Sequence, residues 1–378
     1  MSQQANTPSG EAMPPVPAAR GRLASRLVRW CRGAAVRVSL LISPWPAALL
    51  MRKVFAASGA RLATALDKHA PTNVIGLINQ RYGADPDMLL DVFRPASASE
   101  PLPLVVWVHG GGFVGGTKDE LAGYCKLVAS NGFVVAAPRY SLAPGRRYPT
   151  PLRQLMQALQ YLQANAGQLL IDPDRIALAG DSAGAHIAAQ AGALVSTPRY
   201  AEAVGITPTI TPAQLRGLIL ACGIYDLQLV RHATSPAGRL FVQVSLHAYS
   251  GKRRFLDDPG FAAWSITDHV SAAFPPALIT VGNADPLRPH SELLAGRLQA
   301  QGAETETLFF PAGHQPPVEH EYQFDLDTDA GQLFLDRLLT FLRQRLAAPT
   351  NTPGTGPAPR PGTAAEGGDQ ACRYPPTL

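Results

Sequence analysis

Ser182 lies in the segment Gly180-Asp181-Ser182-Ala183-Gly184, and His109-Gly110-Gly111-Gly112-Phe113 precedes it by about seventy residues. A serine hydroxyl is a weak nucleophile until it is forced into the open, given a base and set beside donors for a developing oxyanion. The first segment, G-x-S-x-G, is a sharp turn that exposes the hydroxyl. The second offers main-chain N–H groups that no side chain obstructs. Gly111, Gly112 and Ala183 are the expected oxyanion donors, Ala183 because its N–H follows the nucleophile at a helix N-terminus. In this order and at this separation, the two segments point to acyl transfer through Ser182.

The flanks say which elements must hold these residues. Asp172-Pro173-Asp174-Arg175 is a turn cluster that opens onto Ile176-Ala177-Leu178-Ala179, an apolar run of the kind found in buried parallel strands. The run Ala183–Ala193 has small side chains that let a helix lie close against a sheet. Leu104–Val108 reads as another buried strand that ends where the glycines begin. The Asp181 side chain is expected to point away from the nucleophile and brace the turn.

With these motifs the chain resembles the hormone-sensitive-lipase branch of the α/β-hydrolases, whose members pair an HGGG loop with GDSAG around the serine. The likeness covers roughly residues 75–345 and includes Tyr140-Ser141-Leu142-Ala143-Pro144 and Asn283-Ala284-Asp285-Pro286-Leu287. Gly145 stands where the family pattern usually has an acidic residue. The resemblance implies a mostly parallel central sheet with helices on both faces, and a triad running serine, acid, histidine along the chain. His109 precedes the serine, so it is expected to orient the glycine loop rather than act as the base.

Asp285 follows the strand-like run Ala277–Val281 and so falls at the C-terminal edge of the sheet, where ligands bind in open α/β folds. It is the expected acid. Asp226, one strand earlier, competes and reads better as a turn-capping residue. Two histidines follow the strand-like run Thr307–Phe310: His314 in Pro-Ala-Gly-His, and His320 in His-Glu-Tyr-Gln-Phe. His320 is favoured because it stands about two turns ahead of the last helix with an aromatic shortly after it. His314 has the shorter spacing from Asp285, and the choice stays open. That last helix is expected over Thr328–Leu346, with Leu333, Phe334, Leu338, Phe341 and Leu342 on its apolar face.

The 378 residues, 46% of them hydrophobic, suffice for a hydrolase core with cap insertions. Cys31, Cys125, Cys222 and Cys372 form no CxxC or Cys/His pattern, so neither a disulfide framework nor a metal site is expected, and no cofactor. The net charge of +5 is uneven: residues 1–61 hold nine Arg or Lys against one acidic residue, so the rest of the chain is slightly acidic and nothing suggests nucleic acid. The domain reading is a tail over 1–19, a basic arm and N-terminal cap over 20–70, a catalytic domain over 71–346 and a Pro/Gly-rich tail over 347–378. A cap insertion at about 227–270 carries Phe241, Tyr249, Phe255, Phe261 and Trp264 as lid lining or lid core.

The arm places Arg22, Arg26, Arg29, Arg32 and Arg37 on one side of a helical wheel and Leu23, Leu27, Val28, Trp30 and Ala34 on the other. A peripheral contact of residues 20–51 with an anionic membrane is one reading; an N-terminal cap over 38–70 is the other. The apolar stretch from Val38 to Met51 is broken by prolines and too short to span a bilayer. The expected protein is cytoplasmic, with membrane association left open. It is expected to be a serine hydrolase of short- to medium-chain or lipophilic carboxylic esters. An amidase on the same triad and a receptor-like protein lacking catalysis are the alternatives.

Overall fold

A computed structural model describes residues 43–231 and 236–348; the tail over 1–19, the arm over 20–42 and the tail from 349 on lie outside the described residues. The elements below belong to the compact unit that ends at Leu346. Eight strands form one sheet in the order β1-β2-β4-β3-β5-β6-β7-β8. They are β1 (Val74–Arg81), β2 (Leu89–Pro95), β3 (Leu102–Val108), β4 (Val134–Pro138), β5 (Ile171–Asp181), β6 (Leu215–Ala221), β7 (Ala277–Val281) and β8 (Thr305–Phe309). β2 runs antiparallel to both its neighbours, and β3 through β8 are parallel to one another.

The parallel strands are apolar on both faces. Leu104, Val106 and Val108 of β3 pack into one layer, while Val105 and Trp107 pack into the other. β5 divides the same way, with Ile176 and Leu178 opposite Ala177 and Ala179. Such two-sided burial makes these strands read as unbroken apolar runs. Helices Thr150–Ala164, Ala183–Ser196 and Arg288–Ala300 contribute to the first layer, and Ala122–Ala129 and Asp329–Arg345 to the second.

Boundaries differ from expectation in small ways. β8 starts and stops earlier than the apolar run suggests. Thr328 precedes the last helix as its N-cap, its side chain accepting from the Gly331 N–H at 3.2 Å. Leu333, expected on the apolar face of that helix, is 44% exposed; Leu335 and Leu339 are buried with Phe334 and Leu338 instead. The helix presents a broader stripe to the sheet, rotated past Leu333.

Two further helices cover the C-terminal edge of the sheet. The first, Trp45–Asp67, starts at the prolines that break the apolar stretch, with Pro46 in the first turn where its missing N–H costs no hydrogen bond. Arg52 ties it down, donating from Nε to the Val114 carbonyl and from Nη2 to the Ala143 carbonyl, both at 2.9 Å. The second, Pro236–Ser250, is followed by short 3-10 turns over 255–268. Tyr249, Phe255, Phe261 and Trp264 are buried and stack among themselves and on Phe113, whereas Phe241 is 36% exposed. They are core of this region; only Phe241 is placed to line an opening. No helix among the described residues is long and apolar enough to cross a membrane.

Candidate active site

β5 delivers the chain to Ser182, whose backbone sits at φ 50° and ψ −115° before the helix Ala183–Ser196 begins. A left-handed serine is strained by about 1–3 kcal/mol. Close contacts around it hold the strain in place. A Cβ on Gly184 would collide with the Val108 carbonyl at the end of β3, and one on Gly180 would collide with the Gly184 backbone. The two glycines of G-x-S-x-G are thus required by approach of backbone to backbone, while the unusual φ falls on the serine itself.

His320 Nε2 lies 3.1 Å from Ser182 Oγ, and its Nδ1 lies 2.8 Å from Asp285 Oδ2. Asp285 follows β7, and its other oxygen accepts from the Leu287 N–H at 2.7 Å, which fixes the carboxylate. The Asp285 side chain is fully buried and that of His320 is 32% exposed. Burial opposes the imidazolium, but the Cys222 sulfur and the Asp285 carboxylate act the other way, and the net pKa stands well above the usual histidine range. Burial raises the Cys222 thiol pKa, keeping it neutral, so Asp285 is the charge that counts. A sulfur, a carboxylate oxygen and a ring nitrogen from Cys222, Asp285 and His320 lie within 4.8 Å of one another, a spacing a divalent ion could bridge. The Asp285–His320 hydrogen bond already engages two of the three.

The glycine loop faces Ser182 from the end of β3. Gly111 and Gly112 have φ of 108° and 59°, conformations that side chains rarely adopt. Among the described residues, the N–H groups of Gly111, Gly112 and Ala183 find no backbone acceptor. Asp181 braces the loop: its oxygens accept from the Trp107 indole at 2.9 Å and from the Gly110 N–H at 2.8 Å. Burial raises the Asp181 pKa, with Glu321 adding to the effect. His109 is buried, stacks on Tyr140 with ring centroids 4.2 Å apart, and has its pKa pushed down to about 4 by burial. It is a neutral residue of the loop.

The structure separates the other candidates from Ser182. His314 packs on the Phe310 ring at 4.9 Å. Asp226 caps the helix Leu227–Arg231 by accepting from the Gln228 and Leu229 N–H groups, and it accepts from the Thr267 hydroxyl. Sequence reasoning missed several residues around the site. Arg52 and Phe113 fasten the glycine loop, Phe113 by stacking on Tyr249 at 4.1 Å from a backbone φ of 64°. Ser245 has a buried Oγ without a hydrogen-bond partner and faces Gly112, as does Phe241. Glu321, next to His320, was legible within His-Glu-Tyr-Gln-Phe; the rest depend on packing between distant segments.

The family profile for the alpha/beta hydrolase fold matches residues 105–315. Carboxylesterase NlhH of Mycobacterium tuberculosis is 30% identical over 290 residues, covering 71% of this chain and 81% of that one. Esterase LipC of the same organism is 36% identical over 122 residues, 32% of this chain and only 30% of LipC. Esterase B from Lactobacillus rhamnosis shares the fold with a TM-score of 0.66 at 22% identity, covering 79% of this chain and 96% of that one. The chain belongs to the alpha/beta hydrolase fold family, as a carboxylesterase-like hydrolase.

Proposed function

We propose that the protein hydrolyses carboxylic esters of short- to medium-chain or lipophilic acyl groups through an acyl-enzyme on Ser182. The observation that carries this reading is the chain of contacts from Asp285 through His320 to Ser182 Oγ, at 2.8 and 3.1 Å. His320 Nε2 takes the hydroxyl proton as Oγ bonds to the ester carbonyl carbon. Asp285 holds the imidazole tautomer and stabilises the imidazolium. The N–H groups of Gly111, Gly112 and Ala183 receive the oxyanion, and loss of one such donor typically raises a barrier by about 3 kcal/mol. The tetrahedral adduct collapses by breaking the bond to the alcohol oxygen, which leaves with the proton from Nε2. Water then repeats the sequence on the acyl-enzyme. A base within reach of the serine favours this over a receptor-like role. A peripheral membrane contact of residues 20–51 belongs to the same proposal, supported by the exposure of Trp45, Leu49 and Leu50 at its described end.

The test is p-nitrophenyl butyrate hydrolysis by the wild type, Ser182→Ala, His320→Ala and His314→Ala. Loss of about 10⁴-fold or more in kcat is expected for the first two variants and near-normal rates for the third. An inactive His314→Ala beside an active His320→Ala would move the base, and an active Ser182→Ala would end the reading.

A further inference from the structure

Glu321 takes a left-handed backbone conformation, φ 61° and ψ 24°, immediately after His320. For a residue with a Cβ this costs about 1–2 kcal/mol. The conformation turns its side chain back to the catalytic centre. Oε1 lies 3.9 Å from His320 Nε2, the nitrogen that faces Ser182, and the carboxylate also lies against Gly110 of the oxyanion loop. In ester hydrolysis that nitrogen returns its proton to the leaving alcohol. A leaving alcohol that takes up this proton comes within reach of the Glu321 carboxylate.

Glu321 and the oxyanion-loop residues Gly110 and Gly111 also line a cavity of about 450 Å³ beside the Trp45–Asp67 helix, with Phe55 and Leu62 among its apolar walls. Its polar lining is made largely of hydrogen-bond acceptors. His109 Nδ1 lies 2.9 Å from the Gly110 carbonyl, which can only accept, so Nδ1 carries the proton and Nε2 presents a lone pair. His109 is 2% exposed and its Nε2 is enclosed without a partner, so that lone pair is not offered to the cavity. Ser58 donates its hydroxyl proton to the Val54 carbonyl at 3.1 Å and keeps its lone pairs. Glu120, lying across Gly59 where any Cβ would displace it, brings a further carboxyl, as do Asp181 and Asp325. Among the described residues that line the cavity, exposed Arg61 is the one cation.

We propose that this cavity receives the leaving alcohol and selects alcohols bearing hydrogen-bond donors, a protonated amine above all, with Glu321 as the specificity-determining residue. The inference rests on the esterase reading and adds polarity to one side of it. The acyl group stays lipophilic, and the alcohol carries the donor.

The experiment compares kcat/KM for 2-(dimethylamino)ethyl butyrate, protonated at the assay pH, with that for its uncharged isostere 3-methylbutyl butyrate. The ratio is measured in the wild type, Glu321→Gln and Glu120→Gln. Comparing ratios between proteins removes the intrinsic reactivity difference between the esters. The ratio is expected to fall about fivefold in Glu321→Gln, a modest factor because the carboxylate is partly solvent-exposed, and less in Glu120→Gln. The change should sit mainly in KM for the amino ester, an outcome a general loosening of the site would not produce. Equal ratios in all three proteins, with p-nitrophenyl butyrate still hydrolysed, overturn this inference alone. A wild type inactive on p-nitrophenyl butyrate overturns the esterase reading with it.

Discussion

Around Ser182 the chain is held by backbone meeting backbone, Gly184 against the Val108 carbonyl and Gly180 against Gly184, with the Asp181 carboxylate accepting from the Gly110 N–H. Across the cleft, the Trp45–Asp67 helix is held by two hydrogen bonds from Arg52 and by side chains resting on glycines. Phe55 sits on Gly115 and Glu120 on Gly59, and Gly123 meets the backbone near Leu66. The first arrangement leaves no room for a methyl group, because two peptide planes cannot yield. Apart from the Gly123 contact near its C-terminal end, the second can adjust by rotating side chains, so it suits a part of the molecule that must admit different substrates. Chemistry is placed on the rigid side and access on the adaptable one.

Substitutions on the two sides should therefore differ in kind. Gly184→Ala forces the elbow away from β3, and we expect loss of most activity together with about 3 kcal/mol of stability, read by thermal unfolding and ester hydrolysis. A melting temperature within 2 °C of wild type would show that the elbow is softer than its contacts imply, where about 3 kcal/mol should shift it by several degrees. Arg52→Ala removes two hydrogen bonds from a charged donor, one to Val114 in the loop that follows Gly112 and one to Ala143. A fall of about tenfold in kcat/KM with a smaller loss of stability is expected, since the neighbouring side chains can repack. An effect as large as that of Gly184→Ala would erase the distinction between the two sides.

The smallest effect is on pH dependence. Burial works against the His320 imidazolium, but Cys222 and Asp285 together act the other way, and the folded pKa is raised. With neutral His320 as the proposed base, kcat/KM should rise with pH through a limb placed above the ordinary histidine value of about 6.5. A limb below that value would mean that desolvation, not the carboxylate, governs the ring.

Much of the geometry of the candidate site was legible because its signals are local. Gly180 and Gly184 bracket Ser182 within five residues, and the glycine run abuts the apolar strand Leu104–Val108, so turn, strand and helix all follow from neighbours in sequence. Asp285 was legible for the same reason, standing just beyond an apolar strand. The histidine was harder. His314 and His320 both follow β8, and the loop path between them, not the spacing, brings one ring to Ser182. Leu333 was misjudged because periodicity gives a face but not its rotation toward the sheet. Arg52, Phe113 and Ser245 carry no local signal, since their partners lie far away along the chain.

The amino-acid sequence by itself determined the sharp turn at Ser182, the glycine loop and the parallel sheet that presents them, because each rests on backbone conformations and apolar runs written into a few consecutive residues. The tertiary structure decided which imidazole meets the serine, how the cap is fastened, and that an acceptor-lined cavity opens beside Glu321. Those features depend on segments tens to hundreds of residues apart converging within a few ångströms, and only the folded chain specifies such distances.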